Sequence, residues 1–280
     1  MLVQYNGQHS IVFGKLGVTY EADISGTQFA HSRIEGKHSW EDWHLIPTSR
    51  PTVNPPSPNV SLINIPGKNG SVDFSKMLTG YMTYQNRSGS WQFIVDNTKW
   101  GSWEAAYTTI LNYLHGESLV CYLADDPAYY YEGLFYLGEP SPSSNWSTIT
   151  INYNLFPYKR NLQTINEPWL WDPFNFENGI ITEFTDYASG ISVPAKGKID
   201  VTIYLYEEPI RPMIDCSAAD DAVQLIIGGK TTSLKNGEHH YRGITLFKES
   251  QEDNRELIIS LENNSNSAAT VKFSFRGGEL

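Results

Sequence analysis

Apolar residues recur mostly at every second position along this chain and, over one stretch, at the spacing of a helix. The two-residue period follows a pair of turn dipeptides, Pro66-Gly67 and Asn69-Gly70. These demand a fixed φ and a φ above zero, so the chain reverses before Val72 and Phe74. Gly80 marks a second break. Beyond it Tyr81, Thr83, Gln85 and Met82, Tyr84, Asn86 sort onto two faces, and Trp91, Phe93 and Val95 continue the alternation. This pattern predicts a hairpin bending at Arg87-Ser88-Gly89. From Leu2 to Tyr20 the alternation is weaker and interrupted by Gly7, Gly14 and Gly17, which predicts short strands with tight turns. The helical spacing belongs to Trp100–His115, where Trp103, Tyr107, Ile110, Leu111 and Leu114 form one stripe; Ser102 is placed to cap it and Gly116 to end it. A strand, an Asp125-Asp126-Pro127 turn and a strand dense in tyrosine (Tyr129, Tyr130, Tyr131) come next. The alternating run Ile149, Ile151, Tyr153, Leu155 then closes the first half.

The second half carries only the strand period: Ile199, Val201, Ile203, Leu205; Val223, Leu225, Ile227; Ile244, Leu246; Leu257, Ile259, Leu261; Val271, Phe273, Phe275. Gly228-Gly229, Asn236-Gly237 and Asn263-Asn264 punctuate it, and Gly228-Gly229 suits a two-residue hairpin turn. All eight tryptophans lie at or before Trp171. The expectation is a mainly β chain with an N-terminal barrel or sandwich plus one helix over residues 1–160, a linker over 161–173, and an antiparallel sandwich or jelly roll over 174–280.

Composition narrows the chemistry. Aromatic residues make up 13% of 280 and charged residues 18%, the balance of a folded chain. Net charge is -11: ten basic and thirteen acidic residues to Arg160 give -3, and ten against eighteen beyond it give -8. With no excess of Lys and Arg to displace counterions, tight binding to a phosphate backbone is disfavoured. Cys121 and Cys216 are too few and too far apart for a zinc site and read as buried free thiols. No basic segment precedes an apolar one at the start, and no run of about 18 apolar residues occurs, so neither secretion by a leader nor membrane insertion is expected.

Three places invite a catalytic or ligand reading. Trp40 and Trp43 flank Glu41 and Asp42, the pairing of a sugar subsite with an acid and a base, yet neighbours on a strand point to opposite faces. Asp125 and Asp126 form an acidic pair, but Asp before Pro is a turn former and no metal-ligand spacing surrounds it. His239 and His240 are adjacent and diverge in the same way. No catalytic, cofactor or metal residues are therefore assigned. Pro47 to Pro58, with Pro51, Pro55 and Pro56 between, excludes helix and central strand; it is either a surface loop or an extended arm lying across a neighbouring subunit.

Several of these stretches, taken in order, resemble one family. They are SWEDW (39–43), SRP (49–51), IPGKNGSVD (65–73), TGYMTYQNR (79–87), ILNYLHG (110–116), LADDPAYYYEG (123–133), PYK (157–159) and the closing RGGEL (276–280). They resemble the distal tail (Dit) proteins of long-tailed phages of Gram-positive bacteria and their prophages. The resemblance implies a non-enzymatic virion component at the tail tip, made in the bacterial cytoplasm. Its first domain would close into a six-fold ring between the tail tube protein and the tail-associated or tail-fibre protein, and DNA would pass through without being bound. Its second would be a galectin-like sandwich that holds receptor-binding proteins in some phages. Subunit contacts are then expected at Trp40, Trp43, Pro55, Pro56, Gly67, Asn69, Gly70, Arg87, Asp125, Asp126, Tyr129, Tyr130 and Tyr131. Two competing readings are a carbohydrate-binding sandwich acting without a ring, with Tyr204, Tyr206 and Tyr241 as glycan contacts, and a glycoside hydrolase using Glu41, Asp42 or Asp125.

Overall fold

The computed structural model describes residues 7–22, 28–96, 99–143, 147–162, 190–218, 221–247 and 256–280, with backbone alone at 19–22 and 28–31. The chain divides into two compact units, one comprising Met1–Val18, Ser32–Leu162 and Leu280, the other Thr19–His31 and Gln163–Glu279. Most of the expected linker, residues 163–173, lies outside the described residues.

In the first unit the alternating runs become strands β1 (Ile11–Ala22), β2 (Gln28–His38), β3 (Leu45–Pro47), β4 (Leu62–Asn64), β5 (Ser71–Asp73) and β6 (Arg87–Val95). Helix α1 (Trp103–Leu114) follows, then β7 (Glu117–Leu123), β8 (Tyr129–Leu137), β9 (Thr148–Leu155) and β10 (Lys159–Asn161). One sheet runs in the order β2-β1-β7-β8-β9-β6-β3, with β10 paired to β8 and β4-β5 forming a separate hairpin. Alternation sends Ile11 and Phe13, Leu119 and Cys121, Phe135 and Leu137, Ile149 to Leu155, and Trp91 to Val95 onto one face, where they share a buried core.

Helix α1 covers that core with Ala106, Ile110 and Leu114, while Trp103, Tyr107 and Leu111 pack at its margin. Ser102 caps it by accepting a bond from the Ala105 amide at 3.1 Å, and Gly116 leaves it at φ +79°, a conformation that favours glycine. Tyr113 donates to the Phe13 carbonyl (3.1 Å) and Tyr107 to that of Gly138 (3.1 Å), so the helix is tied to the sheet by polar bonds as well as by packing.

Three expectations are overturned in this unit. Residues 11–22 are one long strand rather than several short ones; Gly14 is a close-approach glycine, because a Cβ there would overlap the carbonyl of Glu35 on the neighbouring strand. Arg87-Ser88-Gly89 is the start of β6, not a bend, because Arg87 is captured by the carbonyls of Pro157 and Asn54 and the bare face of Gly89 admits the Tyr153 hydroxyl. Trp40–His44 is a turn, not a strand, with the His44 amide bonded to the Trp40 carbonyl (2.9 Å) and His44 at φ +50°.

The second unit contains β11 (Ile191–Val193), β12 (Lys198–Tyr204), β13 (Met213–Ser217), β14 (Val223–Ile227), β15 (Lys230–Leu234), β16 (Gly237–His240), β17 (Glu256–Asn263) and β18 (Ala269–Ser274). They form two four-stranded antiparallel sheets, β11-β18-β13-β16 and β12-β17-β14-β15, which contribute Ile214, Val271 and Phe273, and Ile203, Leu225 and Leu261, to one buried core. The mainly β, antiparallel fold class is therefore as expected. Gly228 and Gly229 (φ +52° and +78°) make the β14–β15 hairpin turn, since both central residues need positive φ. Ile244 and Leu246 are buried but form no strand, only an isolated bridge from Leu246 to Ile210.

Candidate assembly surface

Between β3 and β6 the chain leaves the sheet as an arm. Its root is an extended proline segment fixed by side chains rather than by a strand ladder, because Pro51, Pro55 and Pro56 cannot donate to one. Trp91 donates its indole N–H to the Thr52 carbonyl (2.8 Å), and the Asn54 amide donates to the Tyr153 hydroxyl (3.1 Å). Asn54 Nδ2 donates to the Ser88 carbonyl (2.9 Å). Arg87 then joins the two ends of the unit, its Nε donating to the Pro157 carbonyl (2.7 Å) and its Nη1 to that of Asn54 (3.2 Å).

Arg87 is 5% exposed, and the groups facing its charge are the rings of Tyr131 and Tyr153, not a carboxylate. Burial accordingly lowers its pKa from the ordinary value. Burial also pushes the Tyr131 hydroxyl up to about 12, keeping it neutral beside the guanidinium.

Farther out the arm is held by its own backbone. Asn59 donates to the Thr83 carbonyl and Gln85 to that of Ser57, both at 2.8 Å, and β4 pairs with β5 through Leu62↔Asp73, Ile63↔Val72 and Asn64↔Ser71. Gly67 and Gly70 take positive φ at the tip, as the turn dipeptides require. Nothing in the sheet covers this hairpin. Leu78 is 98% exposed, Met77 72%, Leu62 58% and Val60 56%, and Ile63 and Ile65 are also open. Val60, Ile63, Phe74, Met77 and Leu78 line one open groove. Isolated two-stranded hairpins are marginal in water, and contiguous apolar patches on a surface mark interaction sites.

The residues expected at subunit contacts separate into three groups. Gly67, Asn69 and Gly70 lie at the exposed tip, Pro55 is exposed and Pro56 half-buried. Trp43, Arg87, Tyr130 and Tyr131 are buried in their own chain, and this corrects the expectation for them: Trp43 stacks on Phe13 (centroids 5.7 Å apart) and is spent in the core. Half-buried Trp40 lies edge-on to His44. Asp125, Asp126 and Tyr129 form a charged knot at the β7–β8 turn. Asp125 accepts from His9 Nδ1 and Arg50 Nε, both at 2.8 Å, and Asp126 pairs with Lys159 (2.7 Å), whose ammonium sits 4.1 Å over the Tyr129 ring.

Of the carboxylates considered for hydrolysis, Asp42 and Asp125 are held by basic side chains, and Glu41 stands largely exposed. Burial alone would raise Asp125, but the hydrogen bonds and charges of His9 and Arg50 outweigh it and hold the carboxyl below its ordinary value. The same balance, with Lys37 and the His38 amide, lowers Asp42. A general acid needs a raised pKa, the opposite of both. Among the described residues no cluster of three or more His, Cys, Asp or Glu is arranged to hold a metal. Of the tyrosines considered for glycan contact, Tyr206 and Tyr241 pack against the core of the second unit, Tyr206 edge-on to Phe275, whereas Tyr204 alternates with buried Ile203 and points the other way.

Because the folded-state pKa of Asp125 lies below the unfolded one, its contribution to stability is complete at neutral pH and is lost as pH falls through about 4 and below. Urea midpoints measured between pH 7 and about pH 3 should fall, and Asp125→Asn should flatten that fall while lowering the neutral-pH midpoint.

Fold and surface together define a two-unit antiparallel β protein that displays an apolar arm. No protein-family model matches the chain, and no curated relative does. Among solved structures it is similar to the SPP1 Dit protein (gp 19.1), described as a paradigm of the hub adsorption apparatus in phages infecting Gram-positive bacteria. The TM-score is 0.42 and the identity 13%, over 95% of this chain and 98% of that one.

Proposed function

We propose that the chain is a structural component of a phage or prophage tail tip. Its first domain, residues 1–160, closes into a six-fold ring joining the tail tube to the proteins below, and its sandwich, residues 174–280, is carried on the outside as a hub for adhesion proteins. The observation that carries this reading is the arm: six large apolar side chains that the described residues leave uncovered, on a root stiffened by prolines and side-chain bonds. A second copy of the same chain supplies such a cover at no cost in new sequence, and closed cyclic symmetry satisfies every arm at once. The ordered motifs of the first half, which resemble those of distal tail proteins, support this kind of assembly. Native mass spectrometry and electron microscopy of the purified full-length chain test it. A closed ring at six times the 31.6 kDa chain mass is expected; a strictly monomeric protein at tens of micromolar overturns it.

A further inference from the structure

Lys-Asn-Gly occurs twice in this chain, as Lys68-Asn69-Gly70 and as Lys235-Asn236-Gly237. The reacting residues and the one before them are the same, so the fold decides between the two. An asparagine followed by glycine is open to attack on its side-chain amide by the next backbone nitrogen, because glycine has no Cβ to keep the two apart. The attack needs both groups free to turn.

At the arm tip they are free. Asn69 and Gly70 are exposed, and among the described residues neither has a hydrogen-bond partner. Gly70 stands at φ +79° with nothing within 4 Å of the place a Cβ would take. In the second unit the same tripeptide is pinned. Asn236 Oδ1 accepts from the Ala218 amide (3.2 Å), the Asn236 amide donates to the Asp221 carboxylate (2.7 Å), and the Asn236 carbonyl accepts from His239 Nε2 (3.0 Å). That carbonyl shares a peptide group with the Gly237 nitrogen, so the attacking atom is held together with its target. Gly237 is also paired with Cys216 of β13. Exposure does not separate the two sites, since Asn236 is exposed as well; the bonds do.

We infer that Asn69 is a site of spontaneous covalent modification, at which the arm tip converts its own amide to a carboxylate, and that the fold suppresses the same reaction at Asn236. The Gly70 nitrogen attacks Asn69 Cγ, the N–Cγ bond forms, the Cγ–Nδ2 bond breaks, and ammonia leaves with the proton given up by the Gly70 amide. Water then opens the resulting succinimide. Breaking the N–Cγ bond gives aspartate, and breaking the bond from that nitrogen to the Asn69 main-chain carbonyl carbon gives isoaspartate, whose backbone is longer by a methylene. Nothing is oxidised or reduced. Either product puts a negative charge beside Lys68, where the arm tip had a neutral amide.

The two copies of the tripeptide supply the test. The full-length chain, diluted until native mass shows the monomer, is aged at mildly alkaline pH and then cut with pepsin in acid, where further cyclisation is slow. Mass spectrometry follows the amide-to-acid conversion in the peptides containing Asn69 and Asn236, and chromatography resolves aspartate from isoaspartate. In the folded chain Asn69 should convert at least about ten-fold faster than Asn236, since one net hydrogen bond is worth about that factor in a rate. In concentrated urea the two should convert at similar rates, with Asn236 accelerating and Asn69 changing little. Asn69→Gln should leave the arm peptide unconverted, because the longer side chain would have to close a larger ring. Folded-state rates that are alike at the two positions overturn the inference, and so does an Asn69 rate that rises about ten-fold on unfolding, which would show the tip to be held in the native chain.

Discussion

Met77→Asp with Leu78→Asp should abolish the proposed ring and leave the chain folded. Both side chains are among the most exposed apolar groups described, so the isolated chain loses almost no burial, and its melting temperature should move by no more than about 2 °C. In the assembly the same two positions should be covered. Burying one Leu or Met side chain is worth roughly 1.5–3 kcal/mol, so losing two removes about 3–6 kcal/mol from each contact, before the cost of burying two carboxylates. That weakens each contact by about 10² to 10⁴-fold, enough to replace rings by monomers at micromolar concentration. Light scattering and native mass give the state of assembly, and thermal unfolding gives the fold. Rings that persist would show that the arm is not the contact, whereas a large drop in melting temperature would show that the two residues support their own chain. Ile63→Asp should act in the same direction, since Ile63 lines the same groove.

Where packing follows from local period, the architecture was legible in the sequence. The helical stripe at Trp103–Leu114 and the strands around Trp91, Ile151, Leu225 and Val271 each declare one apolar face, and the glycine turns at 67, 70 and 228–229 declare their φ. What misled was chemistry that depends on contacts distant in sequence. Arg87-Ser88-Gly89 has the composition of a bend and becomes a strand because Tyr153 and Pro157, more than sixty residues away, supply the partners. Trp43 and Tyr131 have the character of interface rings, since aromatic residues are common at interfaces, yet they complete the core. The arm's own apolar residues were passed over for the opposite reason. In the run Val60, Leu62, Ile63, Ile65 neighbours as well as alternate positions are apolar, so the hairpin has no polar face for alternation to reveal. A short strand apolar on both sides between proline-rich and glycine-rich flanks was the available signal.

Arg87→Ala should lower the stability of the first unit and loosen the root of the arm. The side chain donates to the carbonyls of Pro157 and Asn54 and so joins the end of β9 to the root of the arm. Truncation leaves both acceptors without these bonds at roughly 1–3 kcal/mol each and opens a void beneath Tyr131. Against this stands the relief of no longer burying a cation that lacks a carboxylate partner, which brings the expected net loss to about 3 kcal/mol. Arg87→Lys should recover only part, because a single ammonium on a flexible stem does not reproduce the planar fork. Tryptophan fluorescence reports mainly on this unit, since six of the eight tryptophans fall within it. The urea midpoint of the fluorescence transition should fall, and amides at the arm root, among them Asn54, should lose protection from hydrogen exchange in the same order, Ala before Lys. A midpoint unchanged in Arg87→Ala would mean that the proline root is held by Trp91 and Tyr153 alone, and that the guanidinium is dispensable to the arm root it bonds.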